Sequence, residues 1–441
     1  MTDFVDQLKH AVDHVPFPTI TGKICSVSDS VYDAILPNAV VGALVRIGDT
    51  GLAQVARVEK YQCRLVPVKV TESIGAGTKV TMLERVQTIP VGMHLMGRVV
   101  SPLGEFMDVV NAVDVEGPLK PALHWPIQRN APRPLERPAV CRMLHTGIKA
   151  IDGLLSLGDG ARVGLFAGPG QGKSTLLGML ANGCNSDVCV ICLAGERGRE
   201  AGEFVHQTLG KTGLKKSVVV LATSDAAAAE RVLAIYTATA IAEWFRDQGK
   251  KVLLLVDSLT RVVRARRDVD LALGVPVGPD GLAATSLSFL PGLLERAAPN
   301  GSGSISAVYT VLSQTQGDDL ISSEITSLLD GHIILSKKRA DAGKWPAIDV
   351  VKSVSRVMKS VTSASHMQHA ARVRSVLSAY EENEDLLMMG AYSKGSCPLT
   401  DAYLRCRREM EQFLTQGDEV IAPDDTLTQL LDLNRMLGPA K

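Results

Sequence analysis

Ala161-Arg-Val-Gly-Leu-Phe-Ala-Gly-Pro-Gly-Gln-Gly-Lys-Ser-Thr-Leu-Leu177 decides the fold. It reads as an apolar strand, a glycine-rich loop and the first turn of a helix, the context that a phosphate-binding loop requires. Gly168, Gly170 and Gly172 let the backbone bend until successive N–H groups face one anion, and the following helix turns its positive dipole end to the same point. The run Gly168, Pro169, Gly170, Gln171, Gly172, Lys173, Ser174, Thr175 is therefore the expected nucleotide cradle. Lys173 is expected on the β- and γ-phosphates, and the Ser174 hydroxyl on Mg²⁺. Ala167 stands where the strict pattern has Gly, one small residue for another.

Around this loop, strand-like runs (Ala161–Ala167, Val188–Ala194, Ser217–Thr223, Val252–Val256, Ser306–Leu312 and His332–Ser336) alternate with helix-like ones such as Lys173–Asn182 and Ala226–Gln248. That alternation predicts an α/β core with a mostly parallel sheet and helices on both faces. Upstream, Ile20–Val27, Val40–Ile47 and Thr78–Leu83 are short β-type runs with turn signals between them, predicting a small barrel. Residues 2–15 read as one amphipathic helix stopped by Pro16 and Pro18. Downstream of Lys359 no strand-like run remains; Ala370–Glu384 and Asp401–Gln416 read as helices. The expected division is helix 1–18, barrel 19–90, α/β core 91–358 and helical domain 359–441.

Lys+Arg and Asp+Glu both total 47 among 441 residues. A formal charge of zero predicts neither a nucleic-acid wrapper nor an adhesive to anionic lipid, and leaves room for a local basic site. No apolar run approaches the ~18–20 residues that span a bilayer, and the first residues lack a secretory-signal pattern. With eight cysteines not spaced as a disulfide framework, the chain reads as cytosolic and reduced. Cys189 and Cys192 fall inside an apolar run and read as core rather than as a zinc or redox pair.

Two carboxylates carry the chemistry. Val252-Leu-Leu-Leu-Val-Asp257 is an apolar strand ending in an acid, and the carboxyl ends of such strands open onto the ligand crevice, so Asp257 is the expected Mg²⁺-side acid. Glu196, in Leu193-Ala-Gly-Glu-Arg-Gly-Arg-Glu200, is placed to orient and deprotonate the attacking water, or else to pair with Arg197 or Arg199. Ser313, Gln314, Thr315 and Gln316 stand where polar groups sense a γ-phosphate or simply face solvent.

These motifs resemble the type III secretion and flagellar export ATPases, relatives of the catalytic subunit of rotary ATP synthases. The resemblance runs from about Thr19 to Arg407. It rests on Thr146–Gly153, Ala167–Thr175, Gly195–Glu200, Ala242–Gly249, Asp257–Arg261, Leu293–Arg296, Leu329–Ser336, Pro346–Val350 and Ser353–Met358. It implies a RecA-like core between an N-terminal barrel and a C-terminal helical domain, with ATP and Mg²⁺ as cofactors. It also implies a homohexamer peripheral to the cytoplasmic face of an inner-membrane export gate, with a stator-like regulator, a stalk protein and chaperone–substrate complexes as partners and no nucleic acid. Carried over by position, Lys173, Glu196 and Arg356 are catalytic, Arg356 as a finger into the neighbouring subunit. Arg197 and Trp345 contact the nucleotide, Trp345 by stacking on adenine where the family usually has Tyr, and Ser174 and Asp257 hold the metal.

Two loops depart from the family, Gly281-Leu-Ala-Ala-Thr285 and Gly317-Asp-Asp-Leu-Ile-Ser-Ser-Glu324. The resemblance puts both near the central channel of the ring, where hydrolysis couples to a stalk or substrate. Two other functions fit parts of the pattern: a hexameric RNA translocase, which also joins a barrel to a RecA-like core, and a ring subunit that binds nucleotide without hydrolysing it. The first calls for aromatic stacking residues on the barrel, and Ile20–Leu83 contains only Tyr32 and Tyr61. The second is disfavoured by the presence of both Lys173 and Glu196.

Overall fold

The computed structural model describes residues 20–28, 30–69, 73–108, 123–312 and 319–438. The helix expected over 2–15 and the polar group Ser313–Gln316 lie outside them. Strands β1 (Thr21–Val27), β2 (Tyr32–Ile35), β3 (Leu44–Ile47), β4 (Gly51–Val58), β5 (Cys63–Lys69) and β6 (Lys79–Glu84) close a barrel in the order β1-β2-β5-β4-β3-β6. Inward side chains such as Ile24, Val45, Ile47, Val55, Leu65 and Val80 fill it. The connection to the core holds the paired strands β7 (Thr88–Val91) and β9 (Leu123–Pro126), with β8 (Val99–Val100) between them in sequence. A second short pair follows, β10 (Met143–Leu144) and β11 (Leu157–Gly158).

The core sheet contains β12 (Arg162–Ala167), β13 (Val188–Glu196), β14 (Ser217–Thr223), β15 (Lys251–Asp257), β16 (Ser304–Leu312), β17 (Gly331–Ile334) and β18 (Val354–Ser355). With β8 at one edge, the order is β18-β17-β12-β16-β15-β13-β14-β8. Every neighbouring pair is parallel except β17 with β18. Both faces are covered. Val190, Cys192 and Ala194 point into the core shared with the helix Ala228–Asp247. Cys189, Ile191 and Leu193 point into the core shared with the helix Lys173–Gly183 and the C-terminal helices. A strand buried on both faces needs no polar alternation, which is why these segments read as continuous apolar runs. The two cysteines therefore lie in separate cores, and burial pushes the Cys189 thiol up to about 12.

Two expected elements are corrected. β17 ends at Ile334 rather than Ser336, because the Ser336 hydroxyl accepts from the Arg339 N–H at 3.3 Å and starts the helix Lys337–Asp341. The segment Asp401–Gln416 is two helices, Pro398–Arg405 and Arg407–Leu414, broken at Cys406, whose Sγ turns to the Met436 carbonyl. Together with Ala364–Met388 and Pro423–Met436 they pack Val373, Met410, Phe413 and Leu430 into the second core. A Cβ on Gly153 would lie 2.7 Å from Phe413 Cζ, so the tail docks where that glycine leaves room. Among the described residues no helix is long and apolar enough to cross a membrane.

Candidate nucleotide and catalytic site

Parallel register brings the carboxyl ends of the central strands to one edge: Ala167 of β12 lies opposite Leu312 of β16, and Asp257 of β15 opposite Leu193 of β13. The phosphate loop crosses that edge. Gly170 and Gly172 have φ of 74° and 81°, in the left-handed region that glycine tolerates. Gln171 folds back, its Oε1 accepting the Gly168 N–H at 2.7 Å. Lys173 opens the helix beneath the loop and donates to Glu196 Oε1 at 3.0 Å and Asp257 Oδ1 at 2.5 Å.

Glu196 ends β13. The pairing of β13 with β14 shifts register between Ala194 and Glu196, with Gly195 at φ 75°, and this bulge aims the carboxylate at the loop. Its second oxygen meets Arg261 Nη1 at 2.6 Å, and the same guanidinium donates to the Gly195 carbonyl at 2.8 Å. Burial pushes the Glu196 carboxyl up, but the Lys173 and Arg261 charges, with their hydrogen bonds, outweigh it and hold it below its ordinary value. Asp257 also accepts from the Thr310 hydroxyl at 2.8 Å. A cavity of about 570 Å³ opens above the loop, with Ser174, Thr175, Glu196, Arg197 and Arg261 on its wall. Asp257 is 3% exposed and lies under Lys173 rather than on that wall.

The structure gathers Gly168, Pro169, Gly170, Gln171, Gly172, Lys173, Ser174, Thr175, Glu196 and Asp257 into one place. Arg197 sits at the rim, exposed and paired with Glu200 at 3.0 Å. Trp345 lies against the loop: a Cβ on Gly172 would fall 2.5 Å from its Cζ3, and its indole is 38% exposed. Its carbonyl accepts from the Gln416 N–H at 2.8 Å. Arg356 is elsewhere. It follows β18 with its N–H on the Asp330 carbonyl, at the level of Arg162 where β12 begins, the end of the sheet opposite the loop. Sequence reasoning assigned no role to Arg261 or Thr310. Arg261 belongs to the Asp257–Arg261 motif, and its position one turn past the acid was the available signal; Thr310 reaches the site only through the β15–β16 pairing.

Two family models match the chain: the nucleotide-binding domain of the ATP synthase alpha/beta family over residues 147–355, and the T3SS EscN ATPase C-terminal domain over residues 362–432. A flagellum-specific ATP synthase of Treponema pallidum (strain Nichols) is 42% identical over 418 residues, covering 93% of this chain and 92% of that protein. A type 3 secretion system ATPase of Xanthomonas euvesicatoria is 43% identical over 381 residues, 86% and 85% of the two chains. Among solved structures, the assembled ATPase EscN of enteropathogenic E. coli aligns with a TM-score of 0.87 at 39% identity, over 94% of this chain and 100% of that one. EscN in complex with its central stalk EscO aligns with a TM-score of 0.86 at 38% identity, with the same coverage.

Proposed function

The chain belongs to the type III secretion and flagellar export ATPases of the ATP synthase alpha/beta family, and from that premise we propose how its own residues carry out Mg²⁺-dependent ATP hydrolysis. The activity, ATP hydrolysis serving protein export, follows from membership of the family. One observation carries the residue roles: Lys173 is held between Glu196 and Asp257 at the foot of the phosphate loop.

Loop N–H groups and the helix dipole take the phosphates. Lys173 then exchanges its two carboxylates for phosphate oxygens. The Ser174 hydroxyl and the Asp257 carboxylate, both oxygen donors, would hold a Mg²⁺ ion, which would offset the charge of the β- and γ-phosphates. Freed of Lys173, Glu196 becomes a stronger base. It stays oriented by Arg261 and is positioned to accept the proton of the attacking water. Trp345 flanks the loop as the adenine platform. Arg356, at the end of the sheet away from its own loop, serves the site of a neighbouring subunit, which requires an oligomer; a homohexamer is the reading that the family supports. Its proposed setting is peripheral, at the cytoplasmic face of an export gate, with a regulator, a stalk and chaperone–substrate complexes as partners.

The RNA-translocase alternative loses its platform: Tyr32 is 7% exposed inside the barrel, which leaves Tyr61, 75% exposed, as a single aromatic. Phosphate release with and without EDTA, alongside native mass measurement with ATP, tests the proposal. Hydrolysis by rings, abolished by EDTA and reduced about 10²-fold by Glu196→Gln, is expected; metal-independent release, or full activity in Glu196→Gln, overturns it.

A further inference from the structure

The segment that ends in Arg356 has little sheet to hold it. β18 has two residues, and its ladder to β17 consists of Gly331↔Ser355 and His332↔Val354. The Arg356 side chain is exposed and borders a cavity of about 220 Å³ that also touches Ser355, Lys359, Met367 and Arg374. Local packing therefore does not fix where the guanidinium points; the main chain leading to it must.

That main chain is tied from the helical tail. Arg374, on the helix Ala364–Met388, donates from Nη2 to the Ser353 carbonyl at 2.9 Å and, at a longer 3.4 Å, to the Val351 carbonyl. Its Nη1 reaches the Leu154 carbonyl at 3.5 Å. Among the described residues, all its hydrogen bonds go to main-chain carbonyls. Ser353 is itself a junction, its hydroxyl accepting from the Ile334 N–H at 3.0 Å and donating to the Asp349 carbonyl at 2.5 Å. A planar fork can join carbonyls of separate segments at once, which an ammonium cannot do in a fixed geometry.

We propose that Arg374 is a positioning residue for Arg356, fixing from the helical domain the backbone that launches the finger. The inference rests on the reading of Arg356 as a finger in trans. A misplacement of about 1 Å remote from the chemistry costs about 10²-fold, so Arg374→Ala should lower kcat by about 10–100-fold while ATP affinity stays within about threefold. Two readouts separate positioning from general damage. In a double-mutant cycle, adding Arg374→Ala to Arg356→Ala should cost little more than Arg356→Ala alone. In mixed rings, Arg374→Ala subunits should regain turnover from Lys173→Ala subunits, whose finger is intact. The parallel mixture of Arg356→Ala with Lys173→Ala is the control. If the control regains no turnover, the finger reading fails. If the control regains it and the Arg374→Ala mixture does not, or if the double mutant loses the full product of both effects, the positioning role fails. Arg374→Gln, which keeps neutral donors, is measured in the same way where the alanine variant does not fold. Arg374→Lys at parental turnover also overturns the proposal.

Discussion

Among the buried charges of the described core, two clusters serve different ends. Glu243 and Arg296 form a two-point pair at 2.9 and 2.8 Å, at 1% exposure each, and Arg296 spends a further donor on the Ile127 carbonyl at 2.8 Å. Every polar atom of that fork is aimed at protein, so the pair staples the helix Ala228–Asp247 to the connection beneath the barrel. Lys173, Glu196, Asp257 and Arg261 are also paired, but a cavity of about 570 Å³ opens on Glu196 and Lys173. Arg296 also borders a cavity, of about 870 Å³, but all three of its guanidinium nitrogens already donate to protein and no glycine loop faces it. At Lys173 the loop Gly168–Gly172 stands over the pair, so an anion can replace a carboxylate there. Burial, pairing and a bordering cavity do not tell the two clusters apart; the glycine loop over Lys173 does.

The largest effect expected is outside both clusters. Arg356→Ala should leave ATP binding intact and lower turnover by about 10³–10⁵-fold, the scale of a finger removed. Phosphate release and ATP titration measure the two; a loss of binding instead would return Arg356 to a cis role. At the Arg296 cluster, Arg296→Ala leaves Glu243 buried with only the longer Arg129 pair at 3.8 Å, which should cost about 3–5 kcal/mol of stability. Denaturant midpoints test this, and unchanged stability would remove the distinction between the clusters. At the Lys173 cluster, Glu196→Gln should reduce hydrolysis by about 10²-fold with ATP still bound, about 2.7 kcal/mol in the barrier. Trp345→Ala should weaken ATP by about 1–3 kcal/mol, the worth of a base on an aromatic face, and inorganic triphosphate hardly at all; equal losses point to packing against Gly172. The smallest effect is on acid stability. The folded Glu196 carboxyl sits below its ordinary 4.5, so its ion pairs contribute stability above that pH and lose it as pH falls through the lower folded value. Glu196→Gln should flatten that acid limb of the nucleotide-free protein.

The core strands and the loop were legible because their signal is local. β12 to β16 are apolar runs buried on both faces, and the glycines sit where the backbone takes positive φ. β4 and β5 were missed: Gln54, Arg57 and Pro67 interrupt them, and only pairing around the closed barrel completes their hydrogen bonds. The break at Cys406 was invisible because a tertiary contact with the last helix, not a proline or glycine, makes it.

The sequence by itself determined the α/β core, the phosphate cradle and the two acids at strand ends, since glycine conformation, helix starts and apolar runs are properties of neighbouring residues. Only the tertiary structure decided which charges share a site. Asp257, Glu196 and Arg261 meet Lys173 through the parallel register of separate strands, Trp345 reaches Gly172 from far along the chain, and Arg374 takes hold of Ser353 from the helical tail. Chain separation does not encode these distances; the packing of the sheet and tail sets them.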